Sequence, residues 1–281
     1  MTIKKTKEEN SRIDSSRRQA IGVLGAISAL GATSLIGCGG GSNGASSSSS
    51  SSLSSSSLGS SSSVATSVAS SSATSSAASS AAGSCTLIPS ETLGPYPLAT
   101  ILNSSSILRA AINEDKTGVP LTIKLKLVNV NNSCTPVSGY VYIWHCDKDG
   151  LYSGYDASNN AGQAGKTYCR GVQYTDTSGQ ATFTTIYPGW YAGRITHVHF
   201  QIFLTNYSST ASSTAVSQMA FPAAITTAVY NASLYTKGQN TSVTSFSADG
   251  VFGDGVTYQL ATVTGNVTDG YVAELQVGIA V

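Results

Sequence analysis

Two of the three histidines in this protein stand one residue apart, His197-Val198-His199, in a run from Thr196 to Leu204 that reads as a β-strand. Side chains two residues apart on a strand point the same way, roughly 7 Å apart at the backbone. Imidazoles so placed can grip one metal ion, and Arg194 is near enough in sequence to put a fixed positive charge beside them. Phenols arrive from two other places. Tyr187-Pro-Gly-Trp190-Tyr191 delivers one from a tight turn before the strand, and Trp144-His-Cys-Asp-Lys-Asp-Gly150-Leu-Tyr152 delivers another just past a strand end. Two phenolates and two imidazoles make a hard, anionic donor set, suited to Fe(III) more than to Zn(II) or Cu(I). A free tyrosine has a pKa of about 10, so holding two as phenolates at neutral pH needs the metal's own charge.

Other residues compete for these roles. Tyr155 lies close to Tyr152 and competes for its role. His145 faces away from Trp144 on its strand and reads as structural. Asp147-Lys-Asp149-Gly150 faintly resembles a calcium loop, but the later ligand positions are missing and a hairpin turn is the simpler reading.

The elements that must position these groups are short strands. Leu121 to Val128 alternates apolar and polar residues, as a half-buried strand does. Gly139–Cys146, Gly171–Thr175, Gln180–Ile186, His197–Leu204, Thr257–Thr264 and Tyr271–Ile279 are further strand candidates, most of them separated by Gly, Asn, Asp and Pro turn signals. Only Pro222–Tyr235 invites a short helix. The pattern predicts an all-β domain, an antiparallel β-sandwich with at most short helices. Two long loops, Leu151–Tyr168 and Asn206–Phe221, are where a site would sit.

Three segments differ in composition. Residues 1–38 open with a basic stretch and continue in an apolar run, Ala20 to Ile36, too short to span a bilayer. Ser16-Arg17-Arg18 resembles a twin-arginine export signal, and Leu35-Ile-Gly-Cys38 resembles a bacterial lipobox, with cleavage before Cys38 and lipidation of that residue. An exported cell-envelope lipoprotein is expected, held to a membrane only through that anchor. Residues 39–84, almost all Ser, Ala, Gly and Thr, cannot bury enough apolar surface to order themselves and read as a tether with a reach of roughly 40 Å. Residues 85–281 then form one domain, in which nine Lys or Arg stand against eleven Asp or Glu. No basic stripe marks a nucleic-acid partner. Four cysteines remain in the domain, an even number that suggests disulfides in an exported protein. Cys85–Cys134, fastening the N-terminal segment to the first hairpin, is the favoured pair, with Cys146–Cys169 the default second.

The chain resembles the intradiol ring-cleavage dioxygenases, similar to protocatechuate 3,4-dioxygenase and catechol 1,2-dioxygenase, and most of all their secreted single-domain bacterial relatives. The resemblance spans essentially residues 85–281. It rests on Thr92-Leu-Gly-Pro95-Tyr96, on Ile143-Trp-His-Cys-Asp with Gly150-Leu-Tyr152-Ser-Gly, and on Arg170-Gly-Val-Gln-Tyr-Thr-Asp176. Its most specific block is Thr185-Ile-Tyr-Pro-Gly-Trp-Tyr191-Ala-Gly-Arg194-Ile-Thr-His197-Val-His199-Phe. It implies a non-haem Fe(III) held by Tyr152, Tyr191, His197 and His199. A catechol-type substrate would chelate the iron in place of Tyr191 and, with O2, open between its hydroxylated carbons to a cis,cis-muconate. Arg194 would stabilise charge building on the ring, Gln218 would stand behind it, and Pro95, Tyr96 and Trp190 would line the pocket. Leu93 stands where a glutamate is common, Cys169 replaces an apolar residue, and the Tyr191–Arg194 loop is short. The family's helical dimerisation segment has no counterpart here. Two other function classes fit parts of the sequence: a non-catalytic module binding aromatics or polysaccharide, and a zinc hydrolase using His145, His197 and His199.

Overall fold

A computed structural model describes residues 85–281; the export signal, Cys38 and the whole of the expected tether, 39–84, lie outside the described residues. Among the described residues, nine strands and one short helix follow in order: β1 (Pro120–Asn129), β2 (Thr135–Pro136), β3 (Tyr140–Trp144), β4 (Arg170–Tyr174), β5 (Gln180–Ile186), β6 (His197–Phe203), β7 (Ala215–Ala220), α1 (Ala223–Tyr230), β8 (Thr262–Asn266) and β9 (Gly270–Ile279). The first sheet runs β2-β1-β9-β8 with β5 also along β1; the second runs β4-β3-β6-β7. Every pairing is antiparallel except β1 with β9, which run parallel.

Alternation in the sequence decides the faces. Leu121, Ile123, Leu125 and Leu127 of β1 point inward to meet Val141 and Ile143 of β3 and Val198, Phe200 and Ile202 of β6 in the core between the sheets. The opposite parity of the second sheet, Tyr142, Trp144, Val172 and Phe203, joins Leu102, Ile107 and Tyr152 in a second cluster on that sheet's outer face. Burying each such large side chain is worth about 1.5–3 kcal/mol. The cover over this outer face is the N-terminal segment. Its Glu91 N–H donates to the Val216 carbonyl at the β7 edge, and its Arg109 N–H donates to the Val172 carbonyl at the β4 edge. Every residue of β6 is therefore buried, and both histidines sit beneath a lid of chain.

Three expectations need correction. Asn206–Phe221 is not one loop: Ala215–Ala220 forms β7 and pairs along β6, its small and polar residues being buried by that partner and by the covering segment. The strand expected over Thr257–Thr264 starts at Thr262, because Gln259 and Leu260 close a turn onto the Val256 carbonyl. Cys85 and Cys134 are bonded, whereas Cys146 and Cys169 are free and buried. The His145 N–H donates to the Cys169 carbonyl, continuing the β3–β4 register. Cys169 is thus opposite His145, and Cys146, one residue on, faces the other way, so the two thiols fall in different apolar clusters.

Candidate metal centre

The site is a ladder across the second sheet. In register, Arg170 of β4, Trp144 of β3, His199 of β6 and Gln218 of β7 stand side by side on the outer face. The His199 ring stacks on Trp144, centroids 4.8 Å apart and planes 4° from parallel. Gly94 of the covering segment closes on the Cε1 edge of the ring: its φ is +67°, and a Cβ there would lie 2.8 Å from His199 Cε1. A ring stacked on an indole and met at its edge by a bare glycine backbone has little freedom to move.

Four donor atoms converge here. His197 Nε2 lies 3.0 Å from His199 Nε2, 3.3 Å from Tyr152 Oη and 3.2 Å from Tyr191 Oη. Donors about 2.0–2.1 Å from a first-row metal ion are themselves about 2.9–3.4 Å apart, so the spacing is that of a coordination shell. The chemistry of the atoms agrees. His197 Nδ1 donates to the Ile195 carbonyl at 2.5 Å, which leaves the Nε2 lone pair facing the other donors. Burial, then the Arg194 charge, pushes His197 down to about 3, and burial with His197 and Arg194 holds His199 well below the usual histidine range. Both imidazoles are neutral at physiological pH. Burial raises Tyr191 to about 12, opposed by Arg194, and raises Tyr152 well above its ordinary value, with Tyr191 adding to the rise. Only a nearby cation would ionise both phenols at neutral pH. Among the described residues no cluster of three or more His, Cys, Asp or Glu could hold a metal; the tyrosines complete this set.

Each donor has its own support. Tyr152 belongs to no strand, and Asn160 pairs with its backbone in place of one: Asn160 Oδ1 accepts the Tyr152 N–H and Nδ2 donates to the Tyr152 and Tyr155 carbonyls, all at 2.7 Å. Tyr155 itself is committed elsewhere, its hydroxyl accepting the Leu98 N–H at 2.6 Å. Arg170, wholly buried, donates to the Ser153 hydroxyl and carbonyl, the Tyr96 carbonyl and the Tyr142 hydroxyl, tying the Tyr152 loop to the covering segment. Tyr96 lies over Tyr152 with ring centroids 4.8 Å apart, and Pro95 beside it is exposed.

Arg194 points Nη1 into the cluster, 3.4 Å from His197 Nε2, while Nη2 donates to Gln218 Oε1 at 2.6 Å. Gln218 Nε2 in turn donates to the Thr92 carbonyl at 3.2 Å. Trp190 packs against the core between the sheets instead of the donors, its indole N–H donating to the Gly238 carbonyl. His145 lies away from the donors with both ring nitrogens used, Nδ1 on the Cys146 carbonyl and Nε2 on Thr185 Oγ1; a site built on all three histidines does not exist. A cavity of about 290 Å³ behind Ile195 and Thr196, walled by α1 and residues 239–246, includes none of the four donors. The roles of Gly94, Asn160 and Arg170 leave no mark in the sequence, since each acts through a backbone or a neighbour distant in sequence.

No protein-family model matches the chain, and no curated protein matches it by sequence. Among solved structures, an intradiol ring-cleavage dioxygenase from Tetranychus urticae is similar at 27% identity and a TM-score of 0.58, covering 70% of this chain and 95% of that one. A second solved dioxygenase is similar at 27% identity and a TM-score of 0.57, with the same coverage of both chains. The chain shares the β-sandwich fold of the intradiol ring-cleavage dioxygenases.

Proposed function

We propose that the protein is a non-haem Fe(III) dioxygenase that opens catechol-type rings between the two hydroxylated carbons, using O2 and giving cis,cis-muconate-type products. The observation that carries this reading is the donor set: a second neutral imidazole and two phenols within 3.3 Å of His197 Nε2, on a fold shared with intradiol ring-cleavage dioxygenases. Tyr152, Tyr191, His197 and His199 would hold the iron. Bound there, ferric iron supplies Lewis acidity toward the two oxygens of a catechol and makes its ring reactive to O2.

The chain's own residues do the rest. Tyr191 is partly exposed while Tyr152 is buried, so Tyr191 is the phenol that can give way to substrate. Its raised pKa would let Tyr191 Oη hold a proton taken from a substrate hydroxyl. Arg194 Nη1 presents a fixed positive charge where charge would develop on the ring. Gln218 keeps that guanidinium turned inward. Tyr96 and Pro95, over Tyr152, form the wall of the substrate site.

The full chain loaded with ferric iron should be visibly coloured through phenolate-to-iron charge transfer. It should convert catechol into a muconate carrying both atoms of isotopically heavy dioxygen. A colourless protein that binds zinc instead, or one that binds aromatics without turnover, contradicts the reading. We further propose that residues 1–38 direct export by the twin-arginine route, that Cys38 carries a lipid, and that residues 39–84 tether the catalytic domain 85–281 at the cell envelope. Lipid labelling that survives in the wild type and disappears in Cys38→Ala tests the anchor.

A further inference from the structure

Asp249 stands outside every motif, in a loop between α1 and β8 among single turns of 3-10 helix. It is 2% exposed and its carboxylate accepts from two segments, 194–195 and 251–252. The Arg194 Nε–H reaches both oxygens, at 3.1 and 3.0 Å. The Ile195 N–H reaches Oδ2 at 2.6 Å, and the Val251 and Phe252 N–H groups reach Oδ1 at 2.8 and 3.1 Å. A guanidinium has three nitrogens, and two of the three in Arg194 are now accounted for. Nε is on Asp249 and Nη2 is on Gln218, so Nη1 is left as the one directed at the donor cluster, 3.4 Å from His197 Nε2. The Phe252 ring, 5.6 Å from the Arg194 guanidinium carbon, closes a face of the group.

We propose that Asp249 is a positioning residue for the reaction: by holding Arg194 through Nε alone, it leaves one guanidinium nitrogen, Nη1, to face the bound ring and fixes its direction. A carboxylate pairing with Arg194 in the commoner two-pronged way, through Nη1 or both Nη groups, would remove that donor. Side-on capture keeps it free while balancing the buried charge. The same carboxylate anchors the Ile195 N–H two residues before His197, so the aim of the arginine and the start of the ligand strand share one support. This inference rests on the dioxygenase reading for its effect on turnover, but not for the clamp itself.

The test compares Asp249→Asn with wild type in the iron-loaded full chain, alone and in an Arg194→Ala background. Asp249→Asn keeps the shape of the side chain and removes its charge. It should lower kcat roughly 10–100-fold with KM and iron content near wild type, and it should cost nothing further once Arg194 is gone. An equal loss in both backgrounds, or no loss, overturns the proposal. A second measurement needs neither iron nor turnover: NMR of the arginine-labelled chain should show a slowly exchanging Arg194 Nε–H that speeds up in Asp249→Asn, and unchanged exchange overturns the clamp. Should Asp249→Asn fail to fold, Asp249→Glu keeps the charge but displaces it by one methylene, and the same fall in kcat is expected. If the wild-type chain turns over no catechol, the dioxygenase reading has failed, and the exchange measurement alone decides the clamp.

Discussion

At the scale of single residues, the site depends on protons that must leave. Tyr152 and Tyr191 are both raised by burial, so each phenol is neutral until a metal ion competes for its oxygen. Metal and proton share that atom, so lowering pH favours the proton. Apparent iron affinity should therefore fall steadily as pH drops. Loading should release about two protons per iron in wild type and about one in Tyr191→Phe, readable by pH-stat titration. An equal count in both proteins would remove Tyr191 from the ligand set. Gly94 offers a purely steric prediction. Gly94→Ala forces a positive φ on alanine and drives a Cβ to 2.8 Å from His199 Cε1. It should cost about 1–2 kcal/mol of stability and loosen iron. Gly193→Ala, also at positive φ but with no atom within 4 Å of its Cβ, should cost similar stability and leave iron binding intact.

At the scale of elements, the strands readable in the sequence are those whose two faces differ in chemistry. β5 alternates so plainly that its bounds, Gln180–Ile186, follow from the residues alone. β7 hides for the opposite reason: Ser217, Gln218, Met219 and Ala220 are all buried, so the strand shows no polar face, and only its partner β6 makes it one. The four converging donors are legible because each sits in a local motif. Their supports are not, because a hydrogen bond such as Asp249 to Ile195 spans 54 residues and leaves no local pattern. Asn160 shows what such a support does. Losing its three buried hydrogen bonds in Asn160→Ala should destabilise the domain by about 2–4 kcal/mol in denaturant unfolding. It should also reduce iron retention, because the Tyr152 backbone loses its partner. Stability falling with iron retention unchanged would show that Tyr152 is placed by the aromatic stack alone.

At the scale of the whole molecule, the Cys85–Cys134 bond closes a span of 49 residues that contains the entire covering segment. The chain-entropy estimate for a loop of that length is about 4 kcal/mol. Cys134→Ser should lower stability by up to that amount. Reductant should destabilise wild type but leave Cys134→Ser unaffected, and equal sensitivity in the two would place the effect on other thiols. Cys146 and Cys169 should stay unreactive toward thiol reagents in the native protein, both being buried with pKa values raised by burial.

The parallel pairing of β1 with β9 sets a schedule. Paired positions such as Lys124 and Glu274 are 150 residues apart, while the antiparallel partner of β1, β5, is made far sooner. During synthesis β1 therefore waits with one edge open, and the core-facing Leu121, Ile123, Leu125 and Leu127 stay uncovered on that side until β9 emerges. Pairings this distant make folding slow and leave an intermediate prone to aggregation. The first sheet is completed only by β9, whose Glu274 lies 150 residues beyond Lys124 of β1, so the donor cluster, carried on the second sheet, gains its full backing only once that distant segment has been made.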